Sequence, residues 1–260
     1  MTRIAFYAPL KSPRYPIPSG DREMARNLMK ALEQGLDAQV DLMSELRSFE
    51  PDGAVEAQAR LMSEAQDEVA RLTPLTSDCA GWVTYHNYYK APDLIGPHIA
   101  AAHNIPYVLA EATRARSRLT GPWANFAKAA EAASDAASII FSLTARDRVA
   151  LDRDRTSTQQ IISLAPFVDR DTLPAPALCK GPMLTVGMMR PGDKLDSYRL
   201  LSEALKMVEG DWQLNVVGDG PARPKVEALF APFGLRVTFL GALDTAALAY
   251  QYAQAGLFVW

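Results

Sequence analysis

Short apolar runs alternate with longer segments of helical period along almost the whole chain, and that alternation constrains the fold more than any other feature. It is the mark of parallel sheets whose strands are joined by crossover helices. The first run covers residues 3–8. A loop carrying Pro9, Pro13, Pro16, Pro18, Ser19 and Gly20 follows, and Ser19 or Asp21 is placed to cap the next helix. That helix has the inward stripe Met24, Leu28, Ala31 and Leu32, with Gly35 as its stop. A strand at 39–43 and a helix over 54–72 come next, the latter repeating Val55, Ala59, Met62, Ala65, Val69 and Leu72. Strands are then expected at 82–85, 105–110, 138–142 and 160–164. The helices between them run from Asp93 to His103, through an Ala-rich stretch to 133, and over 144–151.

Pro166, Pro174 and Pro176 interrupt the pattern, so residues 166–181 read as a linker between a first domain at 1–165 and a second at 182–260. The alternation restarts there: strands at 183–188, 213–217 and 236–240, helices at 197–207 and 223–230, and a helix capped by Asp244. About 80 residues are few for a doubly wound domain, which typically takes roughly 100–150. The final run, Leu257-Phe258-Val259-Trp260, reads as a strand lacking its following helix. The expectation is an α/β chain of two Rossmann-like domains, cut within the second.

Composition narrows the partners. The 260 residues carry 27 basic and 30 acidic side chains, and the net charge of −3 is spread evenly, −2 over residues 1–165 and −1 over the remainder. No broad positive field exists to attract nucleic acid. No apolar run is long enough to span a bilayer, which leaves peripheral membrane contact open. Cys79 and Cys179 lack a pairing motif, there is no leader pattern at the N-terminus, and no Cys/His cluster has zinc spacing. A cytoplasmic protein without bound metal is expected.

Two loops stand out. Gly218-Asp219-Gly220-Pro221 directly follows a buried strand, where glycines admit a ligand to the backbone and the next helix offers free N–H groups to a phosphate; a plain tight turn would also need the glycines. The segment from Gly187 to Lys194 holds Arg190 and Lys194 at another strand end, suited to a diphosphate or simply solvated. Asp152-Arg153-Asp154 and Asp169-Arg170-Asp171 spell the Asp-x-Asp of metal-dependent sugar transferases, but a helix terminus and the linker explain them better.

These loops, followed by "VTFLGALDTAALAYQYAQAGLFVW", resemble the donor domain of family-4 glycosyltransferases over residues 183–260. The first half is a weaker match, and "ISLAPFVD" is similar to the family's domain-joining strand, with Asp169 at its Asp. The sequence departs from the pattern at Met188, Arg190 and Leu195, and the family's two glutamates separated by seven residues, which follow this part of the donor domain, would fall beyond residue 260.

The resemblance implies a GT-B fold and a retaining, metal-independent hexosyl transfer from a nucleotide-diphosphate sugar to a carbohydrate or lipid-linked acceptor. The sugar nucleotide is a co-substrate and no cofactor is needed. It implies donor contacts at Gly20, Asp169, Arg190, Lys194, Gly218, Asp219, Gly220, Gly241 and Leu243, and a sugar contact at His86. Lys90, Glu111 and Arg114 fall on the acceptor side, with Tyr88 and Tyr89 placed either to stack on sugars or to pack. His98 and His103 read as surface residues. The missing glutamates imply that this chain alone is inactive. The competing reading is a non-catalytic nucleotide-binding or regulatory protein; a GT-B epimerase or phosphorylase accounts for the Gly-Asp-Gly-Pro context less well.

Overall fold

The computed structural model describes every residue except Asp171, so the second Asp-x-Asp lies partly outside the described residues. The chain forms two compact units, Met1–Asp169 and Arg170–Trp260.

The first unit runs β1 (Thr2–Tyr7), α1 (Gly20–Leu36), β2 (Ala38–Ser44), α2 (Val55–Leu72), β3 (Gly81–Asn87), α3 (Gly96–His103), β4 (Tyr107–Ala112), α4 (Ala124–Ala136), β5 (Ile139–Ser142), α5 (Ala145–Asp154) and β6 (Gln160–Ser163). Its strands pair in parallel in the order β2-β1-β3-β4-β5-β6. The order reverses direction between β1 and β3, and in open parallel sheets that reversal leaves a crevice at the carboxyl ends of the strands.

The two sheet faces are covered differently. On one, Leu61 and Ala65 of α2, Ile99 of α3, Phe126 and Ala133 of α4 and Leu151 of α5 pack with Tyr7, Trp82 and Leu109. On the other, α1 supplies Ala25 and Leu28 against Phe6, Val40 and Val83. Beside α1 a groove of about 510 Å³ is lined by Val108, Ile139, Phe141, Leu164 and Phe167.

Several boundaries differ from expectation. Ser19 is the cap of α1, its Oγ accepting from Arg22 N–H, but Gly35 does not stop the helix. The turn falls at Asp37, whose φ of 47° is the left-handed conformation short polar side chains tolerate. Val55 is exposed, and Gln58, Leu61, Ala65 and Leu72 form the buried stripe of α2, a rotation that periodicity over Ala-rich positions does not resolve. Asp93 does not begin a helix. It is buried, with Oδ1 accepting from Ile95 and Gly96 N–H and Oδ2 from the Thr84 and Tyr107 hydroxyls, so it anchors the start of α3 to the sheet. His103 is half-buried, its Nε2 2.8 Å from the Thr73 carbonyl oxygen.

The second unit runs β7 (Met183–Val186), α6 (Asp193–Leu205), β8 (Leu214–Val217), α7 (Arg223–Phe230), β9 (Val237–Gly241), α8 (Thr245–Gln254) and β10 (Leu257–Phe258), in the parallel order β10-β7-β8-β9. Tyr198, Leu214, Val216, Val226 and Phe230 form its main core. At its last strand Leu257, Phe258 and Trp260 are all exposed, although the Trp260 ring meets Tyr198 edge-on, and Val259 packs on that core. Among the described residues no helix is long and apolar enough to cross a membrane.

Candidate functional site

At the strand-order reversal of the first unit, three elements bring three ionisable side chains together. Asp21 comes from the first turn of α1, His86 from the end of β3 and Glu111 from the end of β4. His86 Nε2 lies 3.5 Å from Asp21 Oδ1 and 3.6 Å from Glu111 Oε2, with only 13% of the imidazole side chain exposed. At those distances Nε2 makes no close hydrogen bond although it is buried, its neighbours being the two carboxylate oxygens.

The backbone is shaped for this meeting. Tyr85 pairs with Ala110 and Asn87 with Ala112, so His86 and Glu111 lie opposite each other on adjacent strands. Both are left-handed, φ 72° and 64°, a conformation that costs about 1–3 kcal/mol for a residue other than glycine and collects at functional sites. Asn87 fixes the strand end: its Nδ2 donates to the Ala130 carbonyl and the Ser134 hydroxyl of α4, and its Oδ1 accepts from Asp93 N–H. His86 holds the Asp21 carboxyl below its ordinary pKa, against the opposing effect of burial and with help from Lys11 at 3.7 Å. Burial first, then the charge on Glu111, pushes the Tyr85 phenol up, and burial chiefly pushes Tyr88 up to about 12. The site therefore holds two carboxylates around one imidazole, able to bind hydroxyls and to exchange a proton with one.

In the second unit the loops after β7, β8 and β9 are zipped together. Gly187 N–H donates to the Val217 carbonyl, Met189 N–H to Asp219, Ala222 N–H to Met189 and Gly218 N–H to Gly241, all between 2.8 and 3.0 Å. Gly218 and Gly220 have φ of 134° and 149°, and a Cβ on either would overlap the carbonyl oxygen of Gly187 or Met189. Close approach of the loops thus demands both glycines, with no ligand invoked. Asp219 closes the turn, Oδ1 accepting from Gly220 N–H and Oδ2 from Arg223, and those contacts hold its carboxyl below the ordinary range. The N-terminus of α6 has no side-chain cap, leaving amide groups and the positive dipole end unclaimed by a side chain at this edge.

The remaining expected residues fall variously. Lys194 sits in the first turn of α6, its Nζ 4.5 Å from the centre of the Trp260 ring, and Arg190 is exposed just before it. Gly20 opens α1, and a Cβ added to it would meet no atom within 4 Å, so it leaves open space beside Asp21. Leu243 is half-buried and packs against a small core with Leu184 and Val217. Asp169 pairs with Lys30 at 2.6 Å within the first unit. Lys90 donates to the Pro51 carbonyl.

Arg114 differs most from expectation. Its guanidinium is 3% exposed and bridges Glu131 and Asp135, each at 2.6 Å, so its charge is committed to holding the β4–α4 connection and is not offered to an acceptor. Asp154, in the first Asp-x-Asp, is 4% exposed and pairs with Arg116 and Arg153.

The sequence offers Asp21 as a helix cap or, by the family resemblance, as part of a donor-facing loop with Gly20, not as a partner of His86, and it does not single out Asn87. The usable signal for Asp21 was its place beside Gly20 after the first strand; Asn87 had none, because its partners are 43 and 47 residues away.

No protein-family model matches the chain, and no curated protein matches it. Solved structures do. The lipopolysaccharide outer core galactosyltransferase WaaB in its apo form is 15% identical, with 96% of this chain and 71% of that chain covered and a TM-score of 0.59. A co-structure of S. aureus MnaA with UDP is 12% identical over 99% and 73%, TM-score 0.56. A UDP-GlcNAc 2-epimerase from Neisseria meningitidis bound to UDP-GlcNAc is 11% identical over 99% and 77%, TM-score 0.53. The likeness shows the fold, which is α/β of the GT-B type.

Proposed function

We propose that the chain is a glycosyltransferase that moves a hexosyl group from a nucleotide-diphosphate sugar to an acceptor hydroxyl, with retention and without metal. The observation that carries this reading is the imidazole of His86, buried between the carboxylates of Asp21 and Glu111 at the strand-order reversal. Such a group suits the hydroxyls of a transferred sugar, and two flanking acceptors orient them. The fold likeness to a galactosyltransferase and to proteins in complex with UDP or UDP-GlcNAc supports a nucleotide-sugar substrate.

The diphosphate belongs at the α6 edge of the second unit in this reading. Lys194 would neutralise charge growing on the departing phosphate, together with the amides of that uncapped helix start and with Arg190. The glycosidic bond to the phosphate oxygen breaks as the acceptor oxygen bonds to the anomeric carbon, and the acceptor proton passes to the leaving phosphate. The second reading, an epimerase, draws on the fold likeness to the Neisseria protein and needs no acceptor.

The test is release or transfer of radiolabelled sugar from a panel of UDP-, GDP- and ADP-sugars, with and without acceptor glycans and with EDTA. Acceptor-dependent transfer is expected, with Lys194→Ala losing roughly ten- to a hundredfold in nucleotide-diphosphate affinity and little in nucleoside affinity. Interconversion of the sugar without transfer would establish the epimerase instead. Equal losses for nucleotide and nucleoside would exclude Lys194 as a phosphate ligand.

A further inference from the structure

Next to His86 the rings of Tyr88, Tyr89 and Trp123 form a continuous ladder. Successive centroids are 6.3, 5.7 and 5.6 Å apart starting from His86, and each ring is half-buried. At its far end two cations lie against the indole of Trp123: Lys90 Nζ at 5.0 Å and the Arg118 guanidinium at 5.2 Å, with Arg118 also 5.1 Å from the Tyr89 ring. A third, Arg47, stacks on Phe49 at 4.6 Å and on Tyr15 at 5.5 Å.

These cations differ from most of the first unit's charges. Arg3, Arg14, Arg22, Arg60, Arg71, Arg114, Arg116, Arg148 and Arg153 each meet a carboxylate. Among the described residues Arg47, Lys90 and Arg118 have none; aromatic faces and, for two of them, a backbone carbonyl are their partners. The acidic side chain beside them is unavailable, because Glu50 is buried and its oxygens accept from Asp52, Gly53 and Ala54 N–H. In a chain of net charge −3, cations set against ring faces with donors left over have the chemistry to meet an anion.

We infer that the ladder from His86 to Trp123 binds an oligosaccharide acceptor whose anionic substituent, a phosphate or a carboxylate, lies beyond its reacting sugar and is held by Arg118 and Lys90. Sugar rings stack their C–H faces on aromatic rings, and the guanidinium fork takes a phosphate or carboxylate in a bidentate contact. This rests on the glycosyl-transfer reading for which end of the ladder meets the reacting hydroxyl. Aromatic–cation surfaces also suit single-stranded nucleic acid, but only a glycan explains continuity with a buried imidazole between two carboxylates.

The experiment applies the whole chain, and its Arg118→Gln variant, to an immobilised panel of oligosaccharides. Neutral members are paired with the same glycans bearing a phosphate or a uronic acid, and a dT₁₂ oligonucleotide is included. Tighter binding of charged members over their neutral partners is expected, by roughly tenfold or more, with the preference lost in Arg118→Gln. The phosphate and uronate arms identify the anion. Binding to none of the panel, equal binding of neutral and charged partners, preference for dT₁₂, or an unchanged preference in a variant with the wild-type melting curve would each overturn the inference. Calorimetry of wild type with UDP, GDP and ADP separates the two readings. Nucleotide binding without glycan preference removes only the inference; glycan preference without nucleotide binding removes only the transferase.

Discussion

Replacing Gly218 with alanine should loosen the second unit and leave the first unchanged. The residue sits at φ 134°, and an added Cβ would overlap the Gly187 carbonyl oxygen and lie 2.9 Å from the carbonyl carbon. Holding a side chain in that glycine-only region costs about 1–3 kcal/mol. The overlap is with backbone, so it is relieved only by parting the loops after β7 and β8. That stretches the Gly187-to-Val217 and Gly218-to-Gly241 hydrogen bonds, now 3.0 and 2.8 Å, at about 0.5–1.5 kcal/mol each. The total is about 2–6 kcal/mol, against roughly 5–15 kcal/mol for a whole domain. Amide hydrogen exchange followed by mass spectrometry reads the two units separately, which a single melting curve would not. Exchange in peptides covering β7, β8 and β9 should rise about thirtyfold or more, since 1.4 kcal/mol is a factor of ten, with peptides from β1–β5 unaffected. Exchange within about threefold of wild type would mean the loop apposition carries little energy and the glycines serve a ligand after all.

Three further outcomes follow from the first unit. His86→Ala should raise the titration midpoint of the Asp21 carboxyl, followed by carbon NMR. Asp21 stabilises the fold above the unfolded carboxylate value of about 3.9 and loses that contribution as pH falls through its lower folded value, so the variant, which lacks the contribution at neutral pH, should lose less stability than wild type as pH falls through that window. An unmoved midpoint would assign the shift to Lys11. Arg114→Met should cost about 3 kcal/mol in urea unfolding, the lower end for breaking a buried pair because Asp135 is half in solvent; a loss under about 0.5 kcal/mol would mark it as an ordinary surface residue. Asp93→Asn leaves an amide where an oxygen accepts from two hydroxyls, so calorimetry should show a loss of about 1–3 kcal/mol, with relief of the buried charge offsetting part of the change. An unchanged melting temperature would refute that network.

Local pattern alone carried the strand–helix alternation, the cap at Asp244, the choice of Ser19 or Asp21 as the first cap, and the positions of most strands, because side-chain period and capping depend on residues only a few positions apart. Placement of His86 and Glu111 at strand ends was legible for the same reason. What local pattern could not carry is who meets whom. Asp21 reaches His86 only because β1 pairs with both β2 and β3, and strand order is set by the packing of the whole sheet. Arg114 looked like a free loop cation, and only the fold of α4 brings Glu131 and Asp135 to it. Gly218 and Gly220 looked like a ligand loop, and the nearness of Gly187 and Met189, some 30 residues earlier, supplies a reason within the backbone itself. Tyr88, Tyr89 and Lys90 are neighbours in sequence, but Trp123 and Arg118 join them only across the β3–β4 edge. Periodicity and capping are near-neighbour energies, whereas ion pairs, ring stacks and loop contacts between distant residues come into being only when the sheet closes.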